Sequence, residues 1–200
     1  MSSVCEPMIP VLVDRRWTIL VPEHRAIRPG WDWWEWRRLS YMHAVIRPGD
    51  VLWEIGAEQG DLSVLYATWG ARLVLIEPDE GFWPSLRRIF AENGMTERVA
   101  GTYHGFVGPA GGVNPGVDLD GWPTHAYGSL QGDRAPLRYD EDADARQVTT
   151  LDALLDRMPP PDVVSIDIDG AEYRVLLGAN RLLSEVRPIV FVSVPPWPLQ

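Results

Sequence analysis

The spacing of apolar and polar residues predicts alternating strands and helices from residue 51 onward. Residues 51–55 and 72–76 are apolar runs of strand length, and residues 61–69 between them repeat apolar side chains at helical spacing. The next helix is predicted from apolar side chains at i, i+4, i+7 and i+8, namely Phe82, Leu86, Ile89 and Phe90. An Asn-Gly pair at 93–94 ends this helix, and residues 99–107 can form a third strand.

The second half of the chain continues the alternation after a long loop, in which 11 of the 29 residues from 108 to 136 are Gly or Pro. Thr149 and Asp152 have the spacing of a capping box. The predicted elements that follow are a helix over 151–158, a nearly continuous apolar strand over 162–168, a helix over 171–183 and a strand over 189–194. This order predicts an α/β fold with an open, mainly parallel sheet and helices on both faces.

The residues before this alternation predict a hairpin and a helix. Two apolar runs, 8–13 and 17–21, are joined by three polar residues, as in a β-hairpin. A tryptophan cluster then leads into a helical pattern whose inward face we expect to hold Trp34, Tyr41, Met42 and Val45. We therefore expect one domain over residues 1–200, with an N-terminal extension over 1–48 and a Rossmann-like core over 49–200.

Composition and charge mainly exclude classes of protein. No apolar stretch approaches the roughly 18 residues of a membrane-spanning helix. The first ten residues lack a secretory signal. The single cysteine, Cys5, cannot form an intramolecular disulfide. We therefore expect a cytoplasmic protein without a membrane partner. The net charge of −10 also disfavours binding to nucleic acid. All 18 basic residues are arginine, which excludes a Schiff-base lysine and a phosphate-loop lysine.

Glycines and acidic residues follow the predicted strands, where open α/β sheets bind their ligands. Residues 54–60 (EIGAEQG) form a glycine turn after the first core strand, and Glu77 ends the second. Asp167 and Asp169 end the buried strand near the C-terminus. A glycine turn followed by an acid is compatible with a dinucleotide and with S-adenosylmethionine.

Electrostatics favours S-adenosylmethionine over NAD at this turn. A pyrophosphate there would face Glu54, Glu58 and Asp61, and we expect no lysine or nearby arginine to offset their charge. The methionine part of S-adenosylmethionine carries a sulfonium and an ammonium, which carboxylates stabilise. The glycine spacing is also Gly-x-x-x-Gly rather than the Gly-x-Gly-x-x-Gly of dinucleotide sites.

Four ordered motifs resemble those of FkbM-type S-adenosylmethionine-dependent methyltransferases. They are residues 49–57 (GDVLWEIGA), 76–78 (IEP), 148–152 (VTTLD) and 165–173 (SIDIDGAEY). The resemblance implies a Rossmann-like class I methyltransferase fold. It also implies methylation of a hydroxyl on a small molecule or a sugar.

The resemblance implies roles for individual residues as well. The cofactor would be held by Glu54, Gly56, Gly60 and Glu77, and we expect Ala57, Pro78 and Phe106 to contribute to the same site. Asp167 and Asp169 would line the reacting end, where a carboxylate could orient or deprotonate the acceptor hydroxyl or hold a divalent cation. His125 is the next candidate for the base, and His104 is a further one.

The sequence departs from the family pattern at three places. Glu58 stands where the family commonly has Asn, and Asp169 where it has Glu. The family fold normally continues past its fifth strand with a helix and two more strands, whereas this sequence ends at Gln200. A binding protein on a degenerate methyltransferase fold is therefore a second hypothesis, and an NAD-dependent oxidoreductase is a third.

Two apolar features leave alternatives open. The tryptophans between residues 31 and 36 either stack on a sugar, form an interface, or pack the N-terminal helix onto the domain. Residues 189–194 (IVFVSV) would form an apolar edge strand if the strand order is 3-2-1-4-5. We expect that edge to be covered by the hairpin, by a second copy of the chain, or by residues of a longer chain.

Overall fold

The computed structural model describes residues 6–33, 35–109, 148–168 and 170–194. The strands are β1 Met8–Val13, β2 Trp17–Pro22, β3 Val51–Ile55, β4 Arg72–Ile76, β5 Val99–Tyr103, β6 Phe106–Val107, β7 Val148–Thr149, β8 Val163–Ile166 and β9 Ile189–Val192. The α-helices are α1 Glu23–Ala26, α2 Trp36–Val45, α3 Asp61–Thr68, α4 Trp83–Glu92, α5 Leu151–Leu154 and α6 Glu172–Leu177. A 3-10 turn covers Thr96–Arg98 and a π-helical segment covers Leu182–Val186. Most of the predicted loop over 108–136 lies outside the described residues.

Five parallel strands form the central sheet, in the order β5-β4-β3-β8-β9. Numbered by their order along the core of the chain, these strands have the order 3-2-1-4-5 that the resemblance implies. β3 therefore lies in the middle of the sheet. The strand order reverses between β3 and β8, and this point decides where a ligand can bind.

Alternate side chains of the central strands enter two separate cores. In β4, Leu73 and Leu75 pack with α3 and α4, whereas Val74 and Ile76 pack with α5 and α6 on the other face. All four residues of β8 are buried, which explains its continuous apolar sequence. Helices thus cover both faces of the sheet, as the sequence predicts.

The predicted N-terminal hairpin is present and packs on the α3–α4 side of the sheet. β1 and β2 pair in antiparallel register, with Val13 opposite Trp17. Val13, Ile19 and Val21 are buried in the same core as α3 and α4. The hairpin therefore belongs to the hydrophobic core of the domain rather than to its surface.

The predicted inward face of α2 is partly wrong. Leu39 and Met42 are its buried residues, whereas Tyr41 is 68% exposed, and Trp34 lies outside the described residues. The helix begins only at Trp36, and its buried positions are three residues apart, so the neighbouring position 41 points away from the core.

Several predicted elements are shorter than their apolar patterns suggest. The helix predicted over 151–158 ends at Leu154, and the strand predicted over 189–194 ends at Val192. The predicted strand over 99–107 ends at Tyr103, because its ladder with β4 ends where Ile76 pairs with Tyr103. Phe106 and Val107 form β6 instead, which pairs with β7. The predicted strand over 162–168 likewise narrows to the four residues of β8 that have partners on both sides.

The predicted helix over 171–183 is also interrupted. α6 ends before Gly178, where a Cβ atom would lie 2.1 Å from the carbonyl oxygen of Gly108. The chain resumes as the π-helical segment, in which Leu182 is buried and Leu183 is 40% exposed. The capping residue of α5 is Thr150 rather than Thr149, since the Thr150 hydroxyl accepts from the Ala153 N–H at 3.0 Å.

β9 lies at the edge of the central sheet, as predicted, with Ile189 47% and Val192 37% exposed. The hairpin does not cover this edge, because within the described ranges β1 and β2 pair only with each other. That alternative was wrong because the apolar face of the hairpin is used against α3 and α4. Cover by a second copy of the chain or by further residues stays a prediction.

Asn93, which follows α4, ties the hairpin to the core. Its Oδ1 accepts from the Leu20 N–H at 2.8 Å, and its Nδ2 donates to the Leu20 carbonyl at 2.8 Å. We expect Asn93→Ala to lower the free energy of unfolding by about 2 kcal/mol, because two backbone groups of β2 lose their partners. Urea denaturation measures this, with the exposed Asn180→Ala as the control, for which a loss below about 0.5 kcal/mol is expected. Equal losses for the two variants would show that this tie contributes nothing.

Within the parts of the chain that the structure describes, no helix combines the length and the hydrophobicity that crossing a membrane requires.

Candidate functional site

Three acidic side chains meet at the carboxyl edge of the central strands. Glu54 is the next-to-last residue of β3, Glu77 directly follows β4, and Asp167 directly follows β8. Because β3 pairs in parallel with both β4 and β8, the three strand ends lie at the same edge. The reversal of strand order between β3 and β8 makes this edge the expected ligand site.

Gly56 and Gly60 shape the turn between β3 and α3. Their φ angles are positive, 86° and 91°. A Cβ atom at Gly56 would lie 2.0 Å from the carbonyl oxygen of Asp167, and one at Gly60 would lie 2.7 Å from Leu86 Cδ2. Only glycine fits at these two positions, because the end of β8 and the side of α4 fill the space that a side chain would need.

The carboxyl group of Glu77 holds this turn from the β4 side. Its Oε2 accepts from the Glu58 N–H at 2.9 Å, and its Oε1 accepts from the Asp79 N–H at 2.8 Å. Burial raises the pKa of Glu77 to about 8, although both N–H donors favour the carboxylate. Each carboxylate oxygen keeps a second lone pair, so Glu77 can also accept from ribose hydroxyls, the role that the sequence predicts.

A guanidinium from the N-terminal segment bridges the ends of β3 and β8. Arg38 in α2 donates from Nη1 to Asp167 Oδ2 at 2.7 Å and from Nη2 to Ser165 Oγ at 2.5 Å. The same Nη2 lies 4.0 Å from Glu54 Oε1. Arg38 therefore connects Glu54, which the sequence assigns to the cofactor, with Asp167, which it assigns to the reacting end.

Glu54 is buried, and one of its carboxyl oxygens lacks a hydrogen bond of normal geometry. Within the described part of the chain, Oε2 makes no such bond, although the Ser63 hydroxyl lies close enough to lower the pKa of the carboxyl group. Burial raises the pKa of Glu54 to about 7, an effect that Arg38 opposes and Asp167 reinforces. Burial also disfavours the charged Arg38, but the nearby Tyr66, Glu54 and Asp167 together raise the pKa of its guanidinium. The site thus contains a buried acceptor that a ligand donor could satisfy.

A second arginine reaches the glycine turn, so the expectation of no nearby arginine was wrong. Arg25 in α1 donates from Nε to Asp61 Oδ2 at 2.6 Å, and its Nη2 lies 3.9 Å from Glu58 Oε2. Arg25 and Arg38 come from the N-terminal segment, whose packing against the core cannot be seen in the motifs. Two arginines therefore face five carboxyl groups around the turn: Glu54, Glu58, Asp61, Glu77 and Asp167.

Sequence reasoning missed these arginines and also His24. The Nδ1 of His24 lies 2.8 Å from Glu6 Oε2, and its Nε2 lies 2.9 Å from Gln59 Oε1 in the turn. No motif marks the three residues. Their basic character, in a chain whose predicted cofactor turn is acidic, is the one sequence signal that could have found them.

The other predicted cofactor residues are buried or half-buried near the same edge. Ala57 is buried and donates its N–H to the Ile76 carbonyl at 3.2 Å. The carbonyl oxygen of Pro78 lies 3.2 Å from His104 Nε2, and Phe106 is buried at the start of β6. Their roles in cofactor binding stay predictions.

Asp169 and His125 lie outside the described residues, so their predicted catalytic roles stay predictions. A divalent cation is not supported, because no group of three potential metal ligands occurs within the described residues. Glu172, five residues after Asp167 along the chain, belongs to the first turn of α6. Its Oε1 accepts from the Gly170 N–H at 3.0 Å.

A family model for the methyltransferase FkbM domain matches residues 54–197, which is most of the chain. The chain belongs to the FkbM methyltransferase family. Membership in this family implies S-adenosylmethionine as the cofactor. The FkbM match begins at Glu54, so Arg25 and Arg38 lie outside it.

Solved structures with a related backbone are distant from this FkbM chain. Precorrin-6Y C5,15-methyltransferase from Geobacter metallireducens is 14% identical with a TM-score of 0.48, and the match covers 81% of this chain and 63% of that chain. The C-terminal domain of precorrin-6Y C5,15-methyltransferase from Rhodobacter capsulatus is 19% identical with a TM-score of 0.40. That match covers 70% of this chain and 51% of that chain. This chain therefore spans about half to two thirds of those two chains. No curated protein matches the sequence significantly.

Proposed function

We propose that this protein is an S-adenosylmethionine-dependent O-methyltransferase that acts on a hydroxyl group of a small molecule. The observation that carries the proposal is the buried Oε2 of Glu54, which makes no hydrogen bond of normal geometry within the described residues and lies at the reversal of strand order. The excess of carboxyl groups around it suits a donor that carries an ammonium and a sulfonium. The same groups would repel the pyrophosphate of a dinucleotide.

The residues present fit this donor. Glu54 Oε2 would accept from the donor ammonium, and Glu77 would accept from the ribose hydroxyls while it keeps the turn in place. When bound, S-adenosylmethionine would supply the methyl group, so that a C–O bond forms to the acceptor as the C–S bond breaks and its electron pair stays on sulfur.

Asp167 is the residue best placed to act on the acceptor. Its side chain is 37% exposed, and Arg38 holds its Oδ2 at 2.7 Å, which fixes the direction of the carboxylate. Asp167 would orient the acceptor hydroxyl and take its proton on a carboxylate oxygen. Much of the acceleration would come from holding the two reactants together.

A binding protein on the same fold is the second candidate, and the position of Arg38 favours it. The guanidinium already lies between Glu54 and Asp167, so a donor ammonium must share Glu54 with it. In this case the site would bind the donor weakly or not at all.

Calorimetric titration with S-adenosylhomocysteine, followed by NAD, separates these functions. We expect S-adenosylhomocysteine to bind and NAD to produce no heat. Binding of NAD alone would support an oxidoreductase, and binding of neither compound would support the degenerate binding protein.

Glu77→Ala is expected to weaken S-adenosylhomocysteine binding by about 10- to 100-fold, since charge-assisted hydrogen bonds to the ribose are lost. Glu80→Ala removes a nearby exposed acid and serves as the matched control. Circular dichroism checks that both variants are folded. An unchanged dissociation constant for Glu77→Ala would remove Glu77 from the donor site.

S-adenosylhomocysteine should bind about tenfold more tightly at pH 8 than at pH 6. With a pKa of about 7, Glu54 is mostly protonated at pH 6 in the free protein, whereas the ligand ammonium prefers the ionised carboxylate. Binding therefore releases a proton, and the dissociation constant falls as the pH rises through 7. Glu54→Gln should reduce this dependence to the smaller part that Glu77, with a pKa of about 8, contributes through the ribose, while the exposed Glu80→Gln should keep all of it. The same affinity at both pH values in the unmodified protein would contradict the role of Glu54.

A further inference from the structure

A groove of about 740 Å³ opens between the start of α2 and the end of β9. Residues 35–38 line one side, and residues 191–194 line the other. This volume lies within the range of small-molecule sites. The groove is built partly from the N-terminal segment that precedes the FkbM match.

The groove continues from the candidate site around Asp167. Arg38 lines the groove and also donates to Asp167 at 2.7 Å. The N–H of Ser193 donates to the Ile166 carbonyl at 2.9 Å, which places one wall beside the last residue of β8, directly before Asp167. A ring bound in the groove could therefore present a hydroxyl group to Asp167.

Half of the residues that line the groove are apolar, and the two arginines lie on the same side. Of the tryptophan cluster, Trp31 packs against the core, whereas Trp36 lines the groove and is 50% exposed. Phe191, Val192 and Val194 form the facing wall.

Arg37 supplies a positive charge at this surface. Its Cζ lies 5.2 Å from the centroid of the Trp36 ring, a cation–π contact that holds the guanidinium beside the aromatic face. The carboxylate of Glu35 pairs with Arg38, with Glu35 Oε2 3.8 Å from Arg38 Nη1. Because Arg38 is already paired with Glu35 and Asp167, Arg37 supplies the positive charge that an anionic ligand of the groove could use, in a chain whose net charge is −10.

The apolar wall of the groove favours an aromatic ring over a sugar. The hydroxyls of a sugar could pair with Glu35, Arg37 and Ser193, but a sugar ring would give the apolar side chains of residues 191–194 no matching apolar surface. An aromatic ring instead matches the apolar wall and can stack on Trp36.

We propose that the acceptor is a hydroxyaryl carboxylate, whose ring stacks on Trp36 and whose carboxylate pairs with Arg37. This inference rests on the proposed O-methyltransferase function and names the substrate class for it. The hydroxyl would lie toward Asp167, and the carboxylate would lie toward the start of α2.

Binding is tested on the full chain by calorimetry, with and without saturating S-adenosylhomocysteine. The probes are 4-hydroxybenzoate and its neutral analogue, 4-hydroxybenzyl alcohol. We expect the carboxylate to bind about tenfold more tightly than the alcohol. Arg37→Gln should abolish this preference, whereas Arg37→Lys should keep most of it. Arg87→Gln, the same change at an exposed position of α4, should bind both probes as the unmodified protein does.

The aromatic contact is tested separately. Trp36→Ala should weaken the binding of both probes about tenfold, whereas Trp33→Ala, an exposed tryptophan that does not line the groove, should have no effect. Equal affinities for the two probes, an Arg37→Gln variant that keeps the preference, or tighter binding of methyl glucoside than of 4-hydroxybenzoate would each overturn the inference.

The outcomes separate this inference from the proposed function. If S-adenosylhomocysteine binds and the two probes bind equally, only the substrate class is wrong. If S-adenosylhomocysteine does not bind, the proposed function fails, and the titration without it still decides whether the groove selects the carboxylate.

Discussion

Gly56→Ala is expected to lower the free energy of unfolding by about 3–5 kcal/mol, through a strained backbone and overpacking together. The φ angle of 86° disfavours any side chain, and the new Cβ atom would lie 2.0 Å from the Asp167 carbonyl oxygen. A backbone atom cannot move aside as the end of a side chain can, so the turn and the end of β8 must separate. Urea denaturation followed by circular dichroism measures the loss.

Gly94→Ala is the matched control for this prediction. Gly94 also has a positive φ, 68°, but a Cβ atom there would have no neighbour within 4 Å. We expect this variant to lose only about 1 kcal/mol, the cost of the left-handed conformation alone. If Gly56→Ala loses no more than Gly94→Ala, the close contact between the turn and β8 does not hold.

Asp167→Asn is expected to lower the rate of methyl transfer by about 100-fold or more while it leaves the affinity for S-adenosylhomocysteine within about twofold. An amide has nearly the shape of the carboxylate but cannot take the proton of the acceptor hydroxyl. Single-turnover transfer to the acceptor that binds the groove measures the chemical step apart from product release.

Asp156→Asn is the control for this substitution. Asp156 also pairs with an arginine, Arg181, at 3.0 Å, but this pair lies on the exposed surface away from the site. Asp156→Asn should leave both the rate of methyl transfer and the affinity for S-adenosylhomocysteine unchanged. If Asp167→Asn transfers the methyl group at the unmodified rate, the base is to be sought at Asp169, His104 or His125.

The central elements of the fold could be predicted from local pattern because their burial is uniform. β8 is buried on both faces and reads as a continuous apolar run, and β3 and β4 were predicted with their observed bounds. The ends of other elements depend on distant partners. The strand predicted over 99–107 is too long, because its pairing with β4 ends at Ile76. The residues from 99 to 107 do not themselves show where that partner strand ends.

The candidate site, too, could be predicted only in part from the sequence. Glu54, Glu77 and Asp167 were predicted because each follows a recognisable strand, and parallel strands bring such residues to one edge. Arg38 was missed because α2 precedes the core, and only its packing brings the guanidinium to Asp167. The prediction of no arginine near the turn was wrong for the same reason, because only the packing of α1 brings Arg25 to Asp61.

The sequence by itself determined the family, the alternation of strands and helices, and the acidic residues that follow the strands. These features depend on periodicity and short motifs, which are local along the chain. Only the tertiary structure decided which charges meet, because electrostatic interactions depend on distance in space rather than on separation in sequence. It alone shows that Arg38 bridges Glu54 and Asp167, that Gly56 must accommodate the Asp167 backbone, and that α2 and β9 enclose a groove beside them.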